Sequence, residues 1–234
     1  MPIVTVGIDL AKNVFAVHGV DEAGKAVLIK PRVSRDQLSA LIAQFPPCVI
    51  GMEACSGAHY WARVFQRCGH TAKLMAPKLV APYRMSGKRG KNDAADAAAI
   101  CEAVTRPSMR FVPLKDEHQQ ATLCLHRTRQ GFVEERTATY NRLRGLLSEF
   151  GVVLPQSPER LRLDITTHMD LLPGWAQRCI SDLLEHAGNI EDRLGEYDRA
   201  IAEIAREDER SKPLMIVSDN GTELTSMAIL RWAQ

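Results

Sequence analysis

Short apolar runs rich in β-branched residues fill the front of the chain, and helically spaced apolar residues fill the rest. Ile3-Val4-Thr5-Val6-Gly7-Ile8-Asp9 lies between Pro2 and a turn near Lys12-Asn13, which predicts a strand over 2–9. Residues 13–20 predict a second strand, Asp21-Glu22-Ala23-Gly24 a hairpin turn, and residues 25–33 a third strand. Ser34 suits the N-cap of a helix through Phe45 with Leu38, Leu41 and Ile42 on its inner face, and Pro46-Pro47 stop it. A fourth strand follows over 48–53, then a helix from Gly57 to Cys68 ended by Gly69, then a short fifth strand from Thr71 to Met75.

The back half has a different period. A long helix is predicted from Asp116 to Phe150, with Leu125, Phe132, Leu143, Leu146 and Phe150 as its apolar residues and Gly151 and Pro155 closing it. Residues 155–173 read as irregular, and a second helix runs from about Trp175 to Asp208. Its apolar residues Ile180, Leu183, Ala187, Ile190, Leu194, Tyr197, Ile201 and Ile204 alternate three and four apart, a heptad seam. Gly188 and Gly195 weaken that helix by up to ~1 kcal/mol each. An antiparallel helical hairpin is expected, with the seam packing within one chain or also serving a dimer contact.

Three strands in meander, then helix, strand, helix, strand and helix, is the element order of the ribonuclease H-like fold. In that order the first strand lies beside the fourth, so Asp9 and Glu53 would meet at one edge of an α/β sheet. The expected division is 1–112 for this domain, 113–210 for the helical region, and 211–234 for a segment of different character.

Composition changes little: 234 residues, 45% hydrophobic and 25% charged, are ordinary for a soluble globular protein. No apolar run approaches the ~20 residues of a membrane span, and the N-terminus lacks signal-peptide order. Six cysteines without CxxC spacing read as reduced thiols, so a cytoplasmic protein is expected. Charge is more informative. Residues 1–106 carry 14 Lys and Arg against 8 Asp and Glu, whereas residues 151–234 carry 9 against 15. A basic front suggests that a polyanion approaches there. Lys78, Arg84, Lys88, Arg89 and Lys91 form an acid-free basic run that leads into Asn92-Asp93-Ala94-Ala95-Asp96. A solvated loop is one reading; contact with phosphate is the other.

Asp9 and Glu53 each end a short apolar run, and Asp93 and Asp96 are three apart in an alanine-rich helical segment, so both leave one face. Carboxylates gathered in one place raise each other's pKa unless cations sit among them. Oxygen-only donors suit Mg²⁺ or Mn²⁺, and a two-metal carboxylate site cuts phosphodiesters. Asp9, Glu53, Asp93 and Asp96 are therefore the candidate metal and catalytic residues. Lys12, His59 and Tyr60 read as turn, packing or rim residues, and Ser56 as a helix-start hydroxyl with no base beside it.

On Val6-Gly7-Ile8-Asp9-Leu10-Ala11-Lys12, Glu53-Ala54, Lys91-Asn92-Asp93-Ala94-Ala95-Asp96, Ile100-Cys101-Glu102-Ala103, Arg127 and Arg144-Gly145-Leu146-Leu147, the chain resembles a known family. It resembles the Asp-Glu-Asp-Asp (DEDD) transposases of the insertion sequence 110/1111 group, relatives of Piv-type invertases, up to about Arg210. The resemblance implies a RuvC-like domain in which Asp9, Glu53, Asp93 and Asp96 bind Mg²⁺. It implies a coiled coil, donor and target DNA, and a structured guide-like RNA as partner. Such transposases carry a later domain with a nucleophilic serine, which is not found in this sequence, so full recombination by this chain alone is not expected. Leu214-Met215-Ile216-Val217-Ser218-Asp219-Asn220-Gly221 instead resembles a fragment of the integrase-type transposases of the insertion sequence 3 family, without partners for Asp219. A catalytically inactive nucleic-acid-binding remnant is the alternative. An actin-like or sugar-kinase ATPase, which shares Gly-Ile-Asp-Leu, needs glycine-rich phosphate loops not found after residue 100.

Overall fold

A computed structural model of the chain describes residues 2–84 and 93–207. They form two compact units that divide after Asp116.

The first unit is built on a six-stranded mixed sheet. Strands β1 (Thr5–Asp9), β2 (Val14–Val20) and β3 (Ala26–Ser34) form an antiparallel meander. The β2–β3 turn is closed by Asp21, whose Oδ1 accepts from the Ala23 and Lys25 amides at 3.0 Å each. Helix α1 (Arg35–Ile42) returns the chain to β4 (Val49–Glu53), which pairs parallel to β1, so the first strand does lie beside the fourth. Helix α2 (Ala58–Arg67) leads to β5 (Thr71–Met75), parallel to β4. The strand order is β3-β2-β1-β4-β5-β6, where β6 (Phe111–Val112) is a two-residue antiparallel edge that the sequence pattern did not announce.

The period-two alternation of strands sorts the two faces. Val6, Ile8, Ile50, Met52 and Leu74 enter one core with Phe15, Leu38, Ile42, Trp61 and Phe65, beneath α1 and α2. Trp61 meets Phe15 edge-on at 5.4 Å and stacks on Phe65 at 5.7 Å. Buried His70 accepts the Cys48 amide at Nδ1 (3.3 Å) and directs Nε2 at the Ile42 carbonyl (3.1 Å), which ties the end of α1 to the sheet. The opposite face carries Val49 and Met75 and is covered by α4 (Asp93–Val104), with Ile100, Ala103 and Val104 in a second cluster. Between β5 and α4 lie a four-residue helix, α3 (Pro77–Val80), and a single 3₁₀ turn (Ala81–Tyr83).

The second unit is helical. Helices α5 (Glu117–Ser148) and α7 (Gly174–Glu207) pack against each other. Along α5 the partners on α7 run backwards: Arg129 pairs with Asp198, Phe132 packs edge-on against Tyr197, and Tyr140 donates to Glu191 at 2.7 Å. The hairpin is thus antiparallel. Of the heptad positions, Ile180, Ala187, Ile190 and Leu194 are buried and Leu183, Tyr197, Ile201 and Ile204 half-buried, so about half of the seam is fully buried within this unit.

Three expectations need correction here. Residues 155–173 are not irregular: they contain α6 (Pro158–His168) and a 3₁₀ turn (Met169–Leu171). Ser157 at the N-cap and Pro158 at the first position start α6, and Leu161 and Ile165, one turn apart, anchor it in the core. Leu146 and Phe150 do not face inward but are 40% and 46% exposed; Tyr140, Leu143 and Leu147 form the buried stripe. Helix α1 also ends at Ile42 rather than Phe45. All six cysteines are free, as expected. No helix among the described residues is long and apolar enough to cross a membrane. Lys88, Arg89, Lys91 and the segment 211–234 lie outside the described residues.

Candidate metal centre

The register of β1 on β4 determines where the acids go. Gly7 pairs with Gly51 and Ile8 with Met52, so the next residues, Asp9 and Glu53, end two neighbouring parallel strands on the face that Gly7 and Gly51 share. That face is occupied by α4. A Cβ added at Gly7 would lie 2.7 Å from Cys101 Cβ, and closer still to the Ala97 carbonyl oxygen and the Cys101 amide. One added at Gly51 would lie 2.8 Å from Val104 Cβ. Two hydrogens in place of side chains let the backbone of an alanine-rich helix rest on the sheet. Helix α4 crosses β1 at Ala97, one residue past Asp96. Asp9 is two residues past Gly7, ~7 Å along the strand. The same crossing therefore delivers Asp93, Asp96 and Asp9 to one place.

Carboxylate oxygens of Asp9, Asp93 and Asp96 lie within 4.8 Å of one another. Asp9 and Asp96 are half-buried and Asp93 is exposed. Glu53 stands outside this trio and is joined to it by Arg84, which follows the 3₁₀ turn. Arg84 donates through Nη2 to Glu53 Oε1 at 2.7 Å, and its Nε forms an ion pair with Asp96 Oδ1 at 3.0 Å. Burial raises the pKa of Asp9 from 3.8 to about 6, with the charges of Asp96, Glu53 and Asp93 adding to the rise and Arg84 opposing it. Burial likewise raises Glu53, again against Arg84. Among the described residues one guanidinium, that of Arg84, is paired into the cluster of four carboxylates, so those residues leave a net negative charge there. An all-oxygen, electron-rich donor set of this kind fits a hard divalent cation.

Of the basic run, Lys78 is exposed on α3, and Arg84 is turned onto the carboxylates. His59 is a packing residue: its Nδ1 accepts the Lys115 amide at 3.2 Å. Arg63 beside it donates to the Lys115 carbonyl at 2.8 Å. What the sequence reading missed are Gly7, Gly51 and the second role of Arg84. The glycine at the same place in two strands was the available signal.

Fold and cluster together define an α/β protein in which the ends of two central strands and the start of one helix gather carboxylates that could hold a metal ion. A family model described as Transposase, for the DEDD type of insertion sequence 110, matches residues 6–152, and the chain belongs to that transposase family. It is 41% identical over 221 residues to a probable family 20 transposase of Pseudomonas aeruginosa, which covers 92% of this chain and 64% of that protein. It is 39% identical over 229 residues to the transposase for insertion sequence element IS1328 of Yersinia enterocolitica (97% and 67%). It is 34% identical over 227 residues to the transposase for insertion sequence element IS1111A of Coxiella burnetii (95% and 61%). The chain thus spans about two thirds of the length of the curated relatives it matches. These alignments run into residues 211–234.

Proposed function

We propose that the chain is the catalytic part of an insertion-sequence transposase that cleaves and transfers DNA strands with divalent metal ions in a ribonuclease H-like, RuvC-like domain. The observation that carries this reading is the convergence of Asp9, Asp93 and Asp96 within 4.8 Å, with Glu53 one Arg84 side chain away. Those four residues would hold Mg²⁺ or Mn²⁺ and are the proposed catalytic set. Bound there, the cations supply charge stabilisation for the attacking and leaving oxygens of a phosphodiester. Gly7 and Gly51 hold α4 on the sheet so that acids from three elements stay in register. Lys78, exposed on α3, offers a phosphate contact, and Lys88, Arg89 and Lys91 extend the basic run in sequence. DNA and a structured guide-like RNA are the proposed polyanionic partners.

Assembly of copies through the helical region would use exposed apolar residues such as Leu163, Leu171 and Trp175, because Ile180, Ala187, Ile190 and Leu194 of the seam are already buried. The test is nicking of labelled duplex DNA by the chain in Mn²⁺ or Mg²⁺, against Asp93→Ala. Metal-dependent cleavage lost in that variant is expected. DNA binding without any metal-dependent cleavage would instead support the inactive nucleic-acid-binding remnant.

A further inference from the structure

The position of Arg84 implies more than a phosphate contact. Its guanidinium bridges Glu53 and Asp96, which come from different elements, using two separate nitrogens at 2.7 and 3.0 Å. The two acceptors are well covered, 14% and 18% exposed, while the arginine is 41% exposed. An arginine fork suits this task because its nitrogens have fixed spacing and its charge is permanent. We propose that Arg84 is a resident counter-ion of the acidic centre, which holds Glu53 and Asp96 together in the metal-free protein and competes with the divalent cation for them.

Two physical effects act in the same direction. Both carboxylates have an oxygen engaged by the guanidinium, so a cation that uses those oxygens must displace it. The positive charge itself also repels an incoming cation at close range. Without any cation, the guanidinium lessens repulsion among four acids, which keeps the empty cluster from spreading apart. Because Arg84 is the more exposed partner, it can swing outward while Glu53 and Asp96 stay in place. Metal loading and arginine release are then one event, and the freed guanidinium faces the approaching nucleic acid backbone.

This inference rests on the proposed metal site, and the experiment separates the two. Mn²⁺ is titrated calorimetrically into the wild-type chain, Arg84→Gln and Arg84→Lys, and the metal-free thermal midpoint of each is recorded. Arg84→Gln should bind Mn²⁺ roughly threefold to tenfold tighter than wild type and melt lower without metal. Arg84→Lys keeps the charge but cannot span both carboxylates, so it should fall between the two in both measurements, and it serves if the glutamine variant does not fold. Wild type that binds Mn²⁺ while both variants bind equally or more weakly overturns the counter-ion role and leaves the metal site standing. Wild type that takes up no Mn²⁺ overturns the metal site and this role with it.

Discussion

Replacing Asp9 with asparagine removes a charge that the fold holds at a disadvantage, and the effect on stability follows from where that charge sits. Burial and three neighbouring acids raise its pKa from 3.8 to about 6. A carboxyl whose folded pKa lies above its unfolded value favours the folded state when protonated. That contribution is intact below about pH 4 and is lost as pH rises to about 6. At pH 7.5 the whole penalty is present. Its ceiling is about 3 kcal/mol, and because Asp9 is only half-buried, solvent screening brings the expected value to about 1–2 kcal/mol. Asp9→Asn is close to isosteric and avoids the penalty.

In urea denaturation at pH 7.5 with EDTA, the variant should therefore be more stable than wild type by that amount. The gap should close as pH falls towards 4, where Asp9 itself is neutral. With millimolar Mn²⁺ the ranking should reverse, because wild type gains metal-linked stability and the variant gains little. A metal-free variant less stable than wild type at pH 7.5 would refute the reasoning, since the aspartate would then be contributing to the fold rather than strained by it.

Gly7→Ala places a methyl against the backbone of α4, 2.7 Å from Cys101 Cβ and nearer still to the Ala97 oxygen. Backbone cannot yield as a flexible side chain can, so destabilisation of about 3 kcal/mol, at the upper end for overpacking, is expected in thermal melts, with weaker Mn²⁺ binding. Ile190→Ala empties a buried seam position in the helical unit and should cost about 2–5 kcal/mol there, while Mn²⁺ binding by calorimetry stays unchanged. Lys78→Ala should weaken DNA binding similarly for every sequence and reduce its salt dependence by about one phosphate contact, read from affinities at several salt concentrations.

How much of this was legible in the sequence follows from what each feature depends on. Strands β1 to β5 were readable because β-branched runs and turn residues are local signals, and the parallel β1–β4 pairing followed from element order. The pairing of Asp93 with Asp96 on one face was readable from helical spacing. Its approach to Asp9 was expected from the residue types and the resemblance but not from any visible contact, because the physical cause is Gly7 meeting Ala97, residues ninety apart in sequence. Arg84 read as part of a basic run because its acceptors, Glu53 and Asp96, are brought to it only by the fold. In the helical unit the α7 seam was plain from its three-four alternation. In α5 the sequence offers Leu146 and Leu147 side by side, and only packing against α6 and α7 selects Leu147. Helix α6 was overlooked because two apolar anchors, Leu161 and Ile165, leave a weak period, although Ser157-Pro158-Glu159 carried the start signal.

The central claim is that acids from β1, β4 and the start of α4 converge to hold divalent cations. Anomalous diffraction from crystals of the chain soaked in Mn²⁺ tests it directly. The account predicts a manganese peak about 2 Å from oxygens of Asp9 and of Asp93 or Asp96, with Arg84 withdrawn from Glu53. Strong manganese peaks elsewhere, with the carboxylate trio bare and Arg84 still bridging Glu53 and Asp96, would contradict it.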